Sequence, residues 1–246
     1  MKTIWDRLTK GKTCSLCYEN LQKINKIFYP PYSYQDNNLY LTDIHYICYE
    51  CLQKLDTLSF LTNKFTHNFD NLPQVPVIYT GSYKGYLKDL IIRLKYFKER
   101  ELAIPLGKLM AVTLMKYHEK SSLKNIFLSL PYDYIVPVPL HKERLLDRGF
   151  NQSFLLAKVL SKELDIPLLE LVNRSKETSP LKDLSKEGRQ NELSLAFTLN
   201  SKKENNSKSR ILIIDDIITT GSTILEITKV LEKSGCKNIT ALTVSH

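Results

Sequence analysis

Two sets of residues in this 246-residue chain have the types and spacing to do chemistry. The first is a pair of knuckles, Cys14-x-x-Cys17 and Cys48-x-x-Cys51. Each can offer two thiolates to one tetrahedral ion, and four sulfurs close the shell of a Zn²⁺ so that no position remains for a catalytic water. Such a metal is structural. The alternatives for the same residues are a thiol–disulfide redox pair or unrelated surface cysteines. Cys236, in the turn-like Ser234-Gly235-Cys236-Lys237, stands apart from both knuckles and reads as a bystander.

The second set is Asp215-Asp216 followed by Thr219-Thr220-Gly221-Ser222-Thr223. The apolar run Ile211-Leu212-Ile213-Ile214 precedes it and reads as a buried strand, at whose carboxyl end an open parallel sheet binds ligands. The turn after it opens a helix, where unpaired amides and the positive end of the dipole suit a phosphate dianion. The carboxylates are unsuited to a phosphate but can accept hydrogen bonds from vicinal sugar hydroxyls. The spacing therefore describes a ribose 5-phosphate. The alternatives for the acidic pair are a Walker B strand or a phosphoacceptor pair; neither a P-loop nor a dinucleotide fingerprint accompanies it, because none of the eight glycines falls in G-x-x-x-x-G-K or G-x-G-x-x-G.

The elements that must hold this loop are legible around it. Arg210–Ile214, a loop at 215–221, a helix over Ser222–Lys233 and a strand over Ile239–Val244 form a βαβ unit, so the sheet is at least partly parallel and flanked by helices. Upstream, a short strand is expected at Val77–Tyr79. A helix follows over Lys84–Phe97, with Leu87, Leu90, Ile91 and Leu94 on one face. Further helices are expected at Ile104–His118 and Asn151–Leu164, with strands at Tyr134–Val136 and Leu168–Val172. Arg174–Asn191 is polar and aperiodic, and Ser201–Ser209 reads as a surface turn. Pro73 and Pro76 mark a boundary, dividing the chain into residues 1–75 around the cysteines and residues 76–246.

Hydrophobic residues make up 43% and charged residues 25%, enough to bury a core and to exclude wholesale disorder. The amino terminus lacks the apolar core of a secretory signal, and no run of 18 apolar residues occurs, so a cytoplasmic protein without membrane insertion is expected. The net charge is +9, of which residues 1–75 carry only +1, and Lys84–Lys124 carries a local +6. That field favours polyanions. Phe28, Tyr29, Tyr32, Tyr34 and Tyr40 lie with Lys23 and Lys26 between the knuckles, where they can stack bases or form the small core of a metal module. Pro30-Pro31 suggests an ordered turn there.

The segment Ile211–Ile224, ILIIDDIITTGSTI, resembles the phosphoribosyl pyrophosphate (PRPP) motif of type I phosphoribosyltransferases, four apolar residues followed by D-D-x-x-T-T-G-x-T. With the four-cysteine amino-terminal segment, the chain resembles the ComF family of competence proteins, of the ComFC type, used in natural DNA uptake. Further matches are Tyr83-x-Gly85, Leu94-Lys95-Tyr96, Asp133–Leu140 and Arg144-x-x-x-Arg148-Gly149-Phe150-Asn151-Gln152. The resemblance implies a type I phosphoribosyltransferase fold preceded by a small zinc-binding domain. It implies that Asp215 and Asp216 meet the ribose hydroxyls and face a developing positive charge at C1, while Thr219, Thr220, Gly221, Ser222 and Thr223 enclose the 5-phosphate. Asp133–Gln152 would face pyrophosphate, with Arg144, Arg148 and Lys95 as counter-charges, and Mg²⁺ would accompany the diphosphate. A hood would map to Arg174–Phe197. His141 reads as surface decoration rather than a base.

The acceptor and turnover itself are left open by the residues. The function expected is a phosphoribosyltransferase-like protein that engages incoming single-stranded DNA in transformation. The alternatives are a salvage enzyme for a small nucleobase, and a non-catalytic module docking a helicase-like or other DNA-processing partner.

Overall fold

A strand with no polar face must be covered on both sides, and Ile211–Ile214 is such a run. The computed structural model describes residues 14, 16, 17, 19, 50, 51, 54, 55, 66, 69, 72, 75–121, 130–174, 196–200 and 208–246. Lys23, Lys26, Phe28, Tyr29, Pro30, Pro31, Tyr32, Tyr34, Tyr40, Cys48, the hood segment 175–195 and the turn at 201–207 lie outside the described residues.

In chain order the elements are β1 (Val77–Gly81), α1 (Gly85–Tyr96), a 3-10 turn (Arg100–Leu102) and α2 (Ala103–Ser121). Next come β2 (Tyr134–Pro137), α3 (Lys142–Arg148), α4 (Gln152–Leu164), β3 (Val172–Arg174) and β4 (Phe197–Leu199). The chain closes with β5 (Arg210–Ile217), α5 (Ser222–Lys233) and β6 (Asn238–Ser245). Strands β1, β6, β5 and β2 pair in that order, every pair parallel, and β3 with β4 makes a separate antiparallel ribbon.

The period of two along β5 divides the core. Leu212 and Ile214 pack in one cluster with Leu87, Leu90, Ile91 and Leu94 of α1 and with Leu156, Ala157 and Leu160 of α4. Ile211 and Ile213 pack in the other with Ile224, Ile227 and Leu231 of α5. The result is the expected α/β arrangement, a parallel sheet between helical layers. Cys14, Leu16, Cys51 and Leu55 belong to the α1 side of this core, so the cysteine segment and α1 share one buried cluster.

Three local expectations are corrected. Strand β5 continues to Ile217, so Asp215 and Asp216 stand on the strand and not in a loop; Asp215 is still in register with Thr243. The strand expected at Leu168–Val172 is split: Leu168 bridges Ile135 in parallel, then the chain leaves the sheet and Val172–Arg174 pairs with β4. A proline at 167 supplies only its carbonyl, to Ile135 N, and limits that edge to a single bridge. Helix α3 occupies part of an expected loop. It buries no residue and so leaves no apolar period to read, and His141 and Gly149 cap it, the latter at φ 76°.

Helices α2 and α4 pack tightly at Gly107, where an added Cβ would stand 2.7 Å from Val159 Cγ1. A Gly107→Ala substitution is predicted to cost about 1–2 kcal/mol, overpacking outweighing the gain in helix propensity. Adding Val159→Ala should recover part of that loss. Chemical denaturation of both single variants and the double variant checks this, and simple additivity would refute the contact.

Candidate functional site

Asp215 and Asp216 reach the carboxyl end of β5 with different partners. Asp215 Oδ1 accepts from Ser153 Oγ at 2.8 Å and from the amide of Asp216 at 2.9 Å. Ser153 is placed by the start of α4, where Asn151 caps the helix by accepting from Ser153 N at 3.0 Å. Asn151 Nδ2 donates in turn to Val138 O at 2.9 Å, tying the exit of β2 to the same corner. Asp216 is 3% exposed, and Lys95 Nζ of α1 lies 3.0 Å from its Oδ2. The contact is an ion pair by distance, yet no hydrogen bond of good geometry reaches that oxygen among the described residues.

Burial, followed by the charge of Asp216, pushes the Asp215 carboxyl up to about 7, against the opposing pull of the Ser153 hydrogen bond and Lys95. Two neighbouring carboxylates, Asp216 buried and Asp215 half-buried, thus share a limited supply of positive partners. Asp215 is poised to hold or release a proton near neutrality.

After the acids, Ile218 is buried and its amide bonds Ser245 O at 3.0 Å, while Thr219 and Thr220 are exposed. Gly221 stands at φ 77° as the N-cap of α5 and supplies no side-chain cap, and Ser222 N donates to Thr220 Oγ1 at 3.4 Å. The left-handed backbone at Gly221 favours glycine, and the space a Cβ would need is taken by Leu72 Cδ1 at 2.6 Å. Thr220 Oγ1 and Ser222 Oγ are 2.8 Å apart, so two hydroxyls share the mouth of the helix with its first-turn amides. Beside the turn opens a cleft of about 500 Å³ whose walls include Lys95, Thr219, Phe69, Tyr83, Tyr96 and His246.

The structure thus brings Asp215, Asp216, Lys95 and the loop Thr219–Thr223 together. Arg148 is linked to them through its guanidinium, which lies 5.1 Å from the centre of the Tyr96 ring on the cleft wall. Arg144 is exposed on α3. Asp133 is at the other end of the sheet: it bonds Arg210 N, Nε and Nη2, all at the amino ends of β2 and β5. Those bonds hold its carboxyl below the usual range. His141 caps α3 through a long contact to Glu143 N at 3.4 Å. Ser153, Phe69 and Tyr83 were not among the expected site residues. Ser153 had a local signal, standing two residues after an Asn that reads as an N-cap, and Tyr83 stands in the matched Tyr83-x-Gly85.

The cysteines form a second centre. Sγ atoms of Cys14, Cys17 and Cys51 lie within 4.8 Å of one another. In a tetrahedral tetrathiolate with bonds of about 2.3 Å, sulfurs stand about 3.8 Å apart, so the cluster can hold a metal ion with one further donor. Leu16 N points to Cys14 Sγ at 3.5 Å, and Cys14 N donates to Glu19 O at 2.7 Å, which curls the first knuckle. Helix α1 grips this turn: Tyr86 Oη donates to Leu16 O at 3.2 Å and lies 3.6 Å from Cys51 Sγ, and Arg93 Nη1 donates to Leu16 O at 3.3 Å. Burial first, then the bond with Cys51, pushes the Tyr86 phenol far above its ordinary range.

Residues 151–245 match the family model described as phosphoribosyl transferase domain. Competence protein F of Haemophilus influenzae is 37% identical over 164 residues, 66% of this chain and 69% of that protein. DNA utilization protein YhgH of Escherichia coli K12 is 32% identical over 195 residues, 79% of this chain and 75% of that protein. Competence protein ComFC of Bacillus subtilis is 23% identical over 238 residues, 95% of this chain and 83% of that protein.

The pH behaviour of the acidic corner is a direct test of its geometry. A carboxyl raised to about 7 contributes stability that is complete below the unfolded value of about 4 and is lost as pH rises through about 7. Relative to wild type, Asp215→Asn is therefore predicted to become progressively more stable across that interval. Ser153→Ala, which removes a bond favouring the ionised form, should move the Asp215 titration upward in carbon-13 NMR. A titration near 4 in the unmodified protein would contradict the burial of this carboxyl.

Proposed function

We propose, from the premise that the chain belongs to the family of competence protein F and the DNA utilization proteins, that it is a PRPP-binding protein of natural competence, serving the uptake or processing of incoming single-stranded DNA. The observation that carries the ligand is the junction of β5 and α5, where two acids stand near the carboxyl end of a buried strand and a helix with a glycine N-cap begins at Ser222. In this reading Thr219, Thr220, Gly221, Ser222 and Thr223 take the 5-phosphate through amides and hydroxyls, and Asp215 and Asp216 take the ribose hydroxyls. Lys95 on the cleft and Arg144 and Arg148 on α3 supply positive charge for the diphosphate.

Mg²⁺ would accompany the diphosphate and offset its charge, with Asp215 and Asp216 the acidic side chains that could help hold it at this corner. Zn²⁺ is the proposed ion for Cys14, Cys17, Cys48 and Cys51, an all-sulfur set that suits a structural site. Residues 1–75 are then a metal-binding unit that precedes a phosphoribosyltransferase-like unit at 76–246, in a cytoplasmic protein. No helix among the described residues is long and apolar enough to cross a membrane. DNA contact is assigned to the described part of the basic segment Lys84–Lys124, where Tyr96, Phe97, Lys98 and Arg100 are exposed and the Arg148 guanidinium lies over the Tyr96 ring. A second reading, transfer to a nucleobase in salvage, is favoured by the aromatic walls Phe69, Tyr83 and Tyr96 next to Thr219.

Calorimetric titration with PRPP and Mg²⁺ tests the ligand. Binding is expected for the unmodified protein, with a loss on the order of tenfold or more in Asp215→Ala/Asp216→Ala and in Gly221→Val, which crowds the turn without touching the acids. Absence of heat in the unmodified protein would defeat the proposal. Single-strand binding that weakens steeply with salt and survives in the Asp215→Ala/Asp216→Ala protein favours the DNA role, whereas base-dependent pyrophosphate release with no DNA affinity favours salvage.

For the cysteines, elemental analysis should find one zinc per chain, and Cys51→Ser should lower both zinc content and thermal stability. A metal-free protein of unchanged stability would exclude the site.

A further inference from the structure

Lys95 has two environments at once. Its ammonium is 3.0 Å from Asp216 Oδ2, and the same side chain forms part of the wall of the cleft beside Thr219. Its partner is nearly sealed, with a side chain 4% exposed, whereas the lysine retains 15%. The contact is held by charge alone, since Asp216 Oδ2 accepts no well-formed hydrogen bond among the described residues. Asp215, by contrast, is fixed by Ser153 and by a backbone amide.

These features describe a held but unlocked cation. A lysine carries a compact charge on a four-carbon stem and can swing without disturbing its helix, unlike a forked guanidinium. Withdrawing it from Asp216 leaves a buried carboxylate oxygen with neither charge nor hydrogen bond, which is costly unless another partner arrives. The open side of the lysine faces the volume in which an anionic ligand would lie. Turning the ammonium fully onto phosphate oxygens in that volume would take it away from Asp216.

We propose that Lys95 is an exchangeable internal counter-ion: with the cleft empty it occupies Asp216, and when an anionic sugar phosphate enters it turns to the ligand's phosphate oxygens, yielding Asp216 to sugar hydroxyls or a hydrated divalent cation. The proposal rests on the sugar-phosphate reading of the cleft and adds a regulation of it. The acidic pair is closed to divalent cations until the ligand draws the lysine away, so ligand and cation enter together. Lys95 is in this sense a positioning residue for Asp216 as well as a ligand for phosphate.

The test uses the full-length, metal-replete protein and two probes. Mn²⁺ alone, followed by electron paramagnetic resonance without any sugar phosphate, should bind Lys95→Gln about tenfold or more tightly than the unmodified protein, and Asp216→Asn added to Lys95→Gln should abolish the gain. Lys95→Arg, which keeps the charge and guards against a folding failure of the glutamine variant, should show no gain in Mn²⁺ binding. PRPP with Mg²⁺ should bind both Lys95 variants about tenfold more weakly, because one lacks the cation and the other holds Asp216 with a fork. Equal Mn²⁺ affinity in Lys95→Gln and the unmodified protein, or undiminished PRPP affinity in both variants, overturns the exchange. The Mn²⁺ measurement does not involve PRPP, so failure of the unmodified protein to bind PRPP would defeat the sugar-phosphate reading separately.

Discussion

Two adjacent carboxylates at the end of a strand buried on both faces set the strongest constraint on this molecule. Desolvating a charge costs several kcal/mol unless it is paired or protonated. The chain meets that cost with three groups from three places: a lysine from α1, a hydroxyl from the first turn of α4 and the peptide amide of Asp216 itself. The remaining deficit appears as an Asp215 carboxyl lifted to about 7. Helices α1 and α4 pack on the same side of β5 for hydrophobic reasons, and the acids require that their polar ends meet at this corner.

Polarity along the sheet follows from the same arrangement. Asp133 and Arg210 form an exposed, multiply bonded pair at the amino ends of β2 and β5, where water shares the charge. At the carboxyl ends the equivalent charges are enclosed, and there the ionisation of a carboxyl is displaced upward rather than downward. Similar residue types therefore play unlike parts because the dielectric around them differs. The exposed pair contributes little to stability, as solvent-screened pairs generally do.

Much of this was legible in the sequence, and what was not has identifiable reasons. The strand, acids, turn and helix of 210–233 lie in one continuous segment, so local pattern sufficed to assemble them. The length of β5 was misjudged because two aspartates look like the end of a strand, whereas pairing of Asp215 and Ile217 with Thr243 and Ser245 carries it onward. Helix α3 leaves no apolar period because it buries nothing, so a solvated helix face at Arg144 and Arg148 stands in the sequence only as an alternative to anion binding. Ser153, Phe69 and Tyr83 meet the site only through tertiary packing, and no spacing rule connects residue 153 with residue 215. Lys95 was read as a counter-charge for a ligand, and the structure finds it on Asp216, a contact across 121 positions that only the packing of α1 can make.

Helix α1 also explains why the cysteine segment and the acidic corner are parts of one structure. Tyr86 and Arg93 are seven residues apart, two turns on one face, and both donate to Leu16 O between the first pair of cysteines. Lys95 is two residues beyond Arg93, about 200° around the helix, and so reaches the opposite side toward β5. Leu87, Leu90, Ile91 and Leu94 fill the interior between these two polar sets, in a cluster that includes Leu16 and Leu55. One helix thus presents hydrogen-bond donors to the cysteine turn and a cation to the acidic corner. Its rotation about its own axis is fixed from both sides, because turning it to improve one set would withdraw the other.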